Sequence, residues 1–148
     1  MANLFEKRPL LESDVIVVKF QSVDGTVTVP ADTTFPVGQV LISTDGGLNW
    51  TERQEADWAA GSYAADDVVY HGGHVWTSLV ADNAVEPGTD DTKWEDGGYW
   101  QGNGVLCEML EATGVANVLT MGSVVEKNLT GYDADLLPSF FGKKIMMK

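Results

Sequence analysis

The stretch Asp14-Val-Ile-Val-Val-Lys-Phe-Gln-Ser-Val-Asp24-Gly25-Thr-Val-Thr-Val29 decides the class of this chain. β-Branched residues dominate it, Thr26 to Val29 alternates polar with apolar, and Asp24-Gly25 is a turn dipeptide. Two strands around a tight turn are predicted, closed by Pro30. The same pattern recurs downstream. Val37-Gly-Gln-Val-Leu-Ile-Ser43, then Thr44-Asp-Gly-Gly-Leu48, then Asn49-Trp-Thr51 reads as a strand, a glycine-rich turn and a returning strand. Gly104 to Leu110 and Val115 to Val125, separated by a turn at Ala112-Thr-Gly114, are strand-like as well. The fold expected is mainly β, with one short C-terminal helix: Asp133 can cap Ala134-Asp-Leu-Leu137, while Pro138 and Gly142 hold it to one or two turns. Ile145-Met-Met147 offers a terminal strand.

Outward from these strands, the whole chain sets bounds on function. Its 148 residues allow one ordinary domain, or one interrupted by a very small second domain. Nine Lys plus Arg against 22 Asp plus Glu leave a net charge of −13, so the average surface repels phosphate and anionic lipid, and neither nucleic acid nor membrane is an expected partner. No apolar run approaches the roughly 18 residues of a membrane span. Residues 1–14 scatter Glu6, Arg8, Glu12 and Asp14 where a signal peptide needs an unbroken apolar segment, and they read as a loosely ordered arm. With no export signal in view, the sequons at Asn49 and Asn128 are read as coincidence. The single cysteine, Cys107, reads as a buried small hydrophobe and suits a reducing compartment.

Candidate chemistry is sparse. His71 and His74 are spaced as helical metal ligands would be, but Gly72-Gly73 turns the chain between them, so they read as surface histidines at a hairpin tip. The pairs Asp66-Asp67, Asp90-Asp91 and Asp133-x-Asp135 lack the spaced oxygen ladder of a calcium loop and read as turn residues and caps. No nucleophile elbow and no phosphate-binding loop is present. The expectation is a protein that is not an enzyme and carries no metal or cofactor.

Between the strand-rich flanks lies an aromatic stretch: Trp58-x4-Tyr63-x4-Val68-Val-Tyr70-x2-Gly73-x-Val75-Trp76, then Pro87-Gly88 and Trp94. Over residues 57–95 this order resembles the small chitin- and cellulose-binding modules of carbohydrate-binding families 5 and 12. Asp67 matches the family's Asp, and Asp66 stands where the family has Gly. The resemblance implies a small three-stranded β module. So short a segment cannot build an aliphatic core, and large rings must serve instead, so Trp58, Tyr63, Tyr70, Trp76 and Trp94 are first of all core residues, and glycan contacts second. In sugar-binding members exposed aromatics follow the Gly-x-x-Tyr segment. Here Thr77-Ser-Leu-Val-Ala-Asp-Asn-Ala84 holds none, which favours a spacer over a polysaccharide binder.

The flanks, residues 15–56 and 96–148, carry Val37-Gly-Gln-Val-Leu41, Gly104-Val-Leu106, Glu111-Ala-Thr-Gly114, Val118-Leu-Thr-x-Gly122-x-Val124 and Leu129-Thr130. This series resembles the bacteriophage head decoration proteins, although the helical region is shorter than is usual there. The resemblance implies a structural virion protein on the outer capsid surface, made in bacterial cytoplasm. It would bind the major capsid protein of the expanded shell as a homotrimer at three-fold or quasi-three-fold sites, with the inserted module projecting outward. Leu4, Phe5, Leu10 and Leu11, the apolar residues of the arm, are then the candidate capsid-binding anchors. The alternative expectation is a glycan-binding module mediating attachment to polysaccharide.

Overall fold

A computed structural model describes residues 9–132 and 145–147 of the chain. It is mainly β, as expected, but the opening stretch forms one strand and not a hairpin. After a single helical turn, α1 (Glu12–Val15), strand β1 runs unbroken through Ile16–Val27, with Asp24 and Gly25 inside it. Its partner is β9 (Gly114–Val124), antiparallel along almost the whole length, with register shifts near Val18 to Ser22. Gly25 is therefore not a turn residue. A Cβ there would strike the Gly47 carbonyl and come within 2.7 Å of Nε1 of Trp50, so glycine is needed because an indole lies flush against the strand.

Trp50 belongs to β3 (Asn49–Trp50), which pairs parallel with β1 on the edge away from β9. The long strand expected over residues 37–43 contracts to β2 (Val40–Leu41), flanked by single bridges at Gln39 and Ile42. β2 pairs with β8 (Gly104–Leu106), and β8 with β9, giving the order β2-β8-β9-β1-β3. The expected terminal strand, β10 (Ile145–Met147), lies parallel to β9 at Gly122–Val124. A short 3-10 turn, Glu126–Asn128, follows β9, and the helix expected over residues 134–137 lies outside the described residues. Val15, Val40, Val105, Leu119, Val124 and Ile145 form one buried cluster of this sheet; Val27, Phe35, Leu41, Trp50, Leu106 and Val118 form the other. Each such side chain contributes about 1.5–3 kcal/mol through removal from water. Cys107 is buried in the first cluster, and burial pushes its thiol up to about 11, which suits the small hydrophobe expected of it.

The second sheet is drawn from residues 56–99 and has four strands where three were expected. Strands β5 (Val68–His71), β6 (His74–Ser78) and β7 (Trp94–Tyr99) form an antiparallel meander. The additional strand, β4 (Ala56–Asp57), is polar, exposed and only two residues long, and it pairs parallel with β5. The last strand runs to Tyr99, four residues past the expected boundary at residue 95. Cross-strand partners Tyr70 and Val75 share the face that packs into the first cluster of the larger sheet, beside buried Trp100. Arg53 lies over the Tyr70 ring at 3.7 Å and bonds Asp57 at 2.6 Å, so a cation–π contact and an ion pair brace the junction.

Candidate functional site: an aromatic groove with an acidic rim

Most of the rings singled out in the sequence are occupied in holding the small sheet together. Trp94 is 2 % exposed, and its indole N–H donates to the Val85 carbonyl at 2.7 Å. The Tyr63 ring meets Trp94 edge-on at 5.6 Å, while its hydroxyl accepts from the Ala59 N–H and donates to the Ala59 carbonyl. Buried Asn83 donates to Ser78 Oγ and to the Lys93 carbonyl, tying the loop after β6 to the start of β7. Tyr70 faces the larger sheet. Trp58 donates its backbone N–H to Tyr70 and sets its ring edge-on to His71 at 5.2 Å; its buried indole Nε1 has no partner among the described residues.

Trp76 is different. Strand alternation places it on the face of β6 opposite to Val75, and it pairs across with Asp96 on β7. Its N–H is committed to the His71 carbonyl at 3.0 Å, and the half-buried ring is stacked on His74, with centroids 5.8 Å apart and planes 22° apart. His74 in turn meets Tyr99 at 4.1 Å. A row of three rings thus leads into a groove of about 520 Å³ beside Trp76 and Leu79. Gly88, at φ +85°, borders the six-membered ring: a Cβ there would sit 3.6 Å from Cη2 and Cζ2, in ordinary van der Waals contact, so glycine keeps a further side-chain atom off this side of the half-buried ring. Leu79, 47 % exposed and within the aromatic-free stretch 77–84, forms a wall of the groove.

The rim is carboxylate: Asp90, Asp91, Glu95 and Asp96. Burial works to raise the Asp96 pKa, but the hydrogen bonds from His74 Nδ1, at 2.7 Å, and from the Gly98 N–H outweigh it and hold the carboxyl below its ordinary value. The Thr92 hydroxyl and N–H lower Asp90 in the same way. The Asp91 and Glu95 side chains are exposed and make no hydrogen bond or ion pair among the described residues. His71 faces Glu86 at 3.1 Å, so both histidines are engaged by carboxylates and are more than bare hairpin-tip residues. No group of three or more His, Cys, Asp and Glu side chains that could hold a metal ion occurs among the described residues.

The capsid-binding candidates divide. Leu4 and Phe5 lie outside the described residues. Leu10 is packed against the first cluster, and Leu11 is 58 % exposed. The Leu11 N–H donates to the Asp14 carboxylate, and Asn128 donates to the Asp14 carbonyl, so the chain is already tied to the body within the expected arm. Sequence reasoning singled out His74 and Gly88 without placing them at a groove and missed Tyr99 and Asp96; the one available signal was His74-x-Trp76, two rings at strand spacing. No protein-family model, curated protein or solved structure matches this chain.

Proposed function

We propose that this protein is a non-enzymatic bacteriophage capsid decoration protein, bound as a homotrimer to the outside of the expanded shell through the major capsid protein. One observation carries the reading. The segments that resemble decoration proteins, split in sequence by the aromatic stretch, are neighbours in a single sheet: Val40–Leu41 pairs with Gly104–Leu106, Val105 and Leu106 pair with Leu119 and Val118, and Thr130 bridges to Gln39. Its mechanism is linkage: a ligand that binds only the assembled shell stabilises that shell against internal pressure in proportion to occupancy. Many weakly held copies suffice. Leu11, exposed at the point where the chain enters the body, is the described residue best placed to continue an apolar contact begun by Leu4 and Phe5.

Co-sedimentation with expanded, undecorated phage shells tests this. The full chain is expected to pellet with shells as trimers, and deletion of residues 1–8, which removes Leu4 and Phe5 and keeps Leu10 on the core, is expected to abolish pelleting while leaving the fold intact. Equal pelleting of the truncated protein removes the arm from the reading, and no pelleting of the full chain removes the reading itself.

The groove favours a second reading for the small sheet alone, attachment to polysaccharide. A half-buried indole that borders an open cleft offers a flat surface on which a sugar ring can stack.

A further inference from the structure

We propose that the groove beside Trp76 selects sugars bearing free amines over neutral or acidic sugars. This deepens the polysaccharide reading of the small sheet and rests on it.

The floor is apolar: the half-buried Trp76 ring where it borders the groove, with Leu79 beside it. The volume of about 520 Å³ is ordinary for a small-ligand site, and a flat indole suits the C–H face of a pyranose. Around this floor the side chains can only accept. Asp90, Asp91, Glu95 and Asp96 are carboxylates, and the two indole N–H groups in the lining are spent inside the module, Trp76 on the His71 carbonyl and Trp94 on the Val85 carbonyl. An acetamido carbonyl or a sugar carboxylate entering here meets no side-chain donor and loses its water, which is a penalty with no compensation. A carboxylate is repelled besides, in a chain of net charge −13.

An ammonium reverses each of these effects. It brings donors to the carboxylates of the lining and a positive charge to Asp91 and Glu95, whose side chains make no ion pair among the described residues. Sugar hydroxyls add further donors. The ring supplies the stacking surface and the amine supplies the selectivity.

Titration of the full chain with oligosaccharides of equal length at mildly acidic pH, followed by calorimetry, tests the proposal. The ligands are a β-1,4-linked glucosamine oligomer, its fully N-acetylated counterpart and an oligogalacturonate, with spermine as an amine lacking a ring. The glucosamine oligomer is expected to bind at least about tenfold more tightly than the acetylated one, the sum of two exposed charge pairs and one unmet acceptor. Its affinity should fall with added salt. Asp91→Asn and Glu95→Gln should each weaken it about threefold, without changing the tryptophan emission of the folded protein. Equal binding of the acetylated oligomer overturns the selectivity and leaves the polysaccharide reading standing. No binding of any oligosaccharide overturns both, and spermine binding as tightly as the glucosamine oligomer shows that the sugar ring contributes nothing.

Discussion

The larger sheet and the smaller one solve the same problem with different materials. The larger buries aliphatic residues, Val15, Val27, Leu41, Leu106, Leu119 and Ile145, around two indoles, Trp50 and Trp100, that the chain accommodates by placing glycines against them. The smaller sheet contributes only Trp94 to the largest fully buried side chains of the described residues. It gains order from rings whose polar ends bond backbone carbonyls: Trp94 to Val85, Trp76 to His71, and Tyr63 to Ala59. A sheet of some forty residues has too little interior for aliphatic packing, so each ring must serve both as apolar volume and as a hydrogen-bonded clamp. A ring used as a clamp has no N–H left for a ligand. The groove at Trp76 is acceptor-only for that reason.

The sharpest way to break this contrast is Trp94→Ala. Removing the ring should cost about 3–5 kcal/mol and abolish the smaller sheet, while amides of β1 and β9 stay protected from hydrogen exchange. Loss of protection in both sheets at once would mean that Tyr70 and Val75 weld them into one cooperative unit. A smaller and opposite effect is expected from Gly104→Ala, whose new Cβ would strike the Trp50 ring and lie 2.5 Å from Cγ1 of Val118. Overpacking there should cost about 1–3 kcal/mol and loosen the β1–β9 pair, read by urea unfolding, with the Trp76 groove unaltered. The smallest effect concerns the turn before β3. Hydrogen bonds from the Asn49 side chain and N–H, and then from Ser43, hold the exposed Asp45 carboxyl down to about 2 from 3.8. Because the folded value is the lower one, ionised Asp45 stabilises the fold above 3.8, and that contribution disappears as pH falls through about 2. Unfolding midpoints of the native chain and Asp45→Asn should differ most above that window and converge at its lower end.

Much of the larger sheet was legible because β-branched runs report half-buried strands directly. What escaped was decided by distant partners. Asp24-Gly25 has the local signature of a turn, yet Gly25 is present because Trp50, in another strand, lies on it; nothing within ten residues reports that contact. β4 escaped because Ala56–Asp57 buries nothing, and only its hydrogen bonds to Val69 and Tyr70 make it a strand. At the groove, Trp76 was recognisable as an aromatic but not as the half-buried one that borders a cleft. That distinction depends on register across β6 and β7, where Gly97-Gly98 sits in an irregularity that lets Tyr99 come opposite His74 and Asp96 opposite Trp76. Asp90 did behave as a turn residue, bonding Thr92, while it also bordered the groove.

The chain leaves the larger sheet at Thr51, bridged to Ile42, and returns at Asn103, whose N–H bonds Leu41. Departure and return therefore flank neighbouring residues of one short strand, a gap of roughly two strand spacings, about 10 Å. A gap so narrow makes the site a socket. What folds between Thr51 and Asn103 can be exchanged for another unit whose own ends lie about that far apart, at a closure cost that grows only slowly with the length inserted, provided the new unit replaces the apolar cover that Tyr70, Val75 and Trp100 give the first cluster.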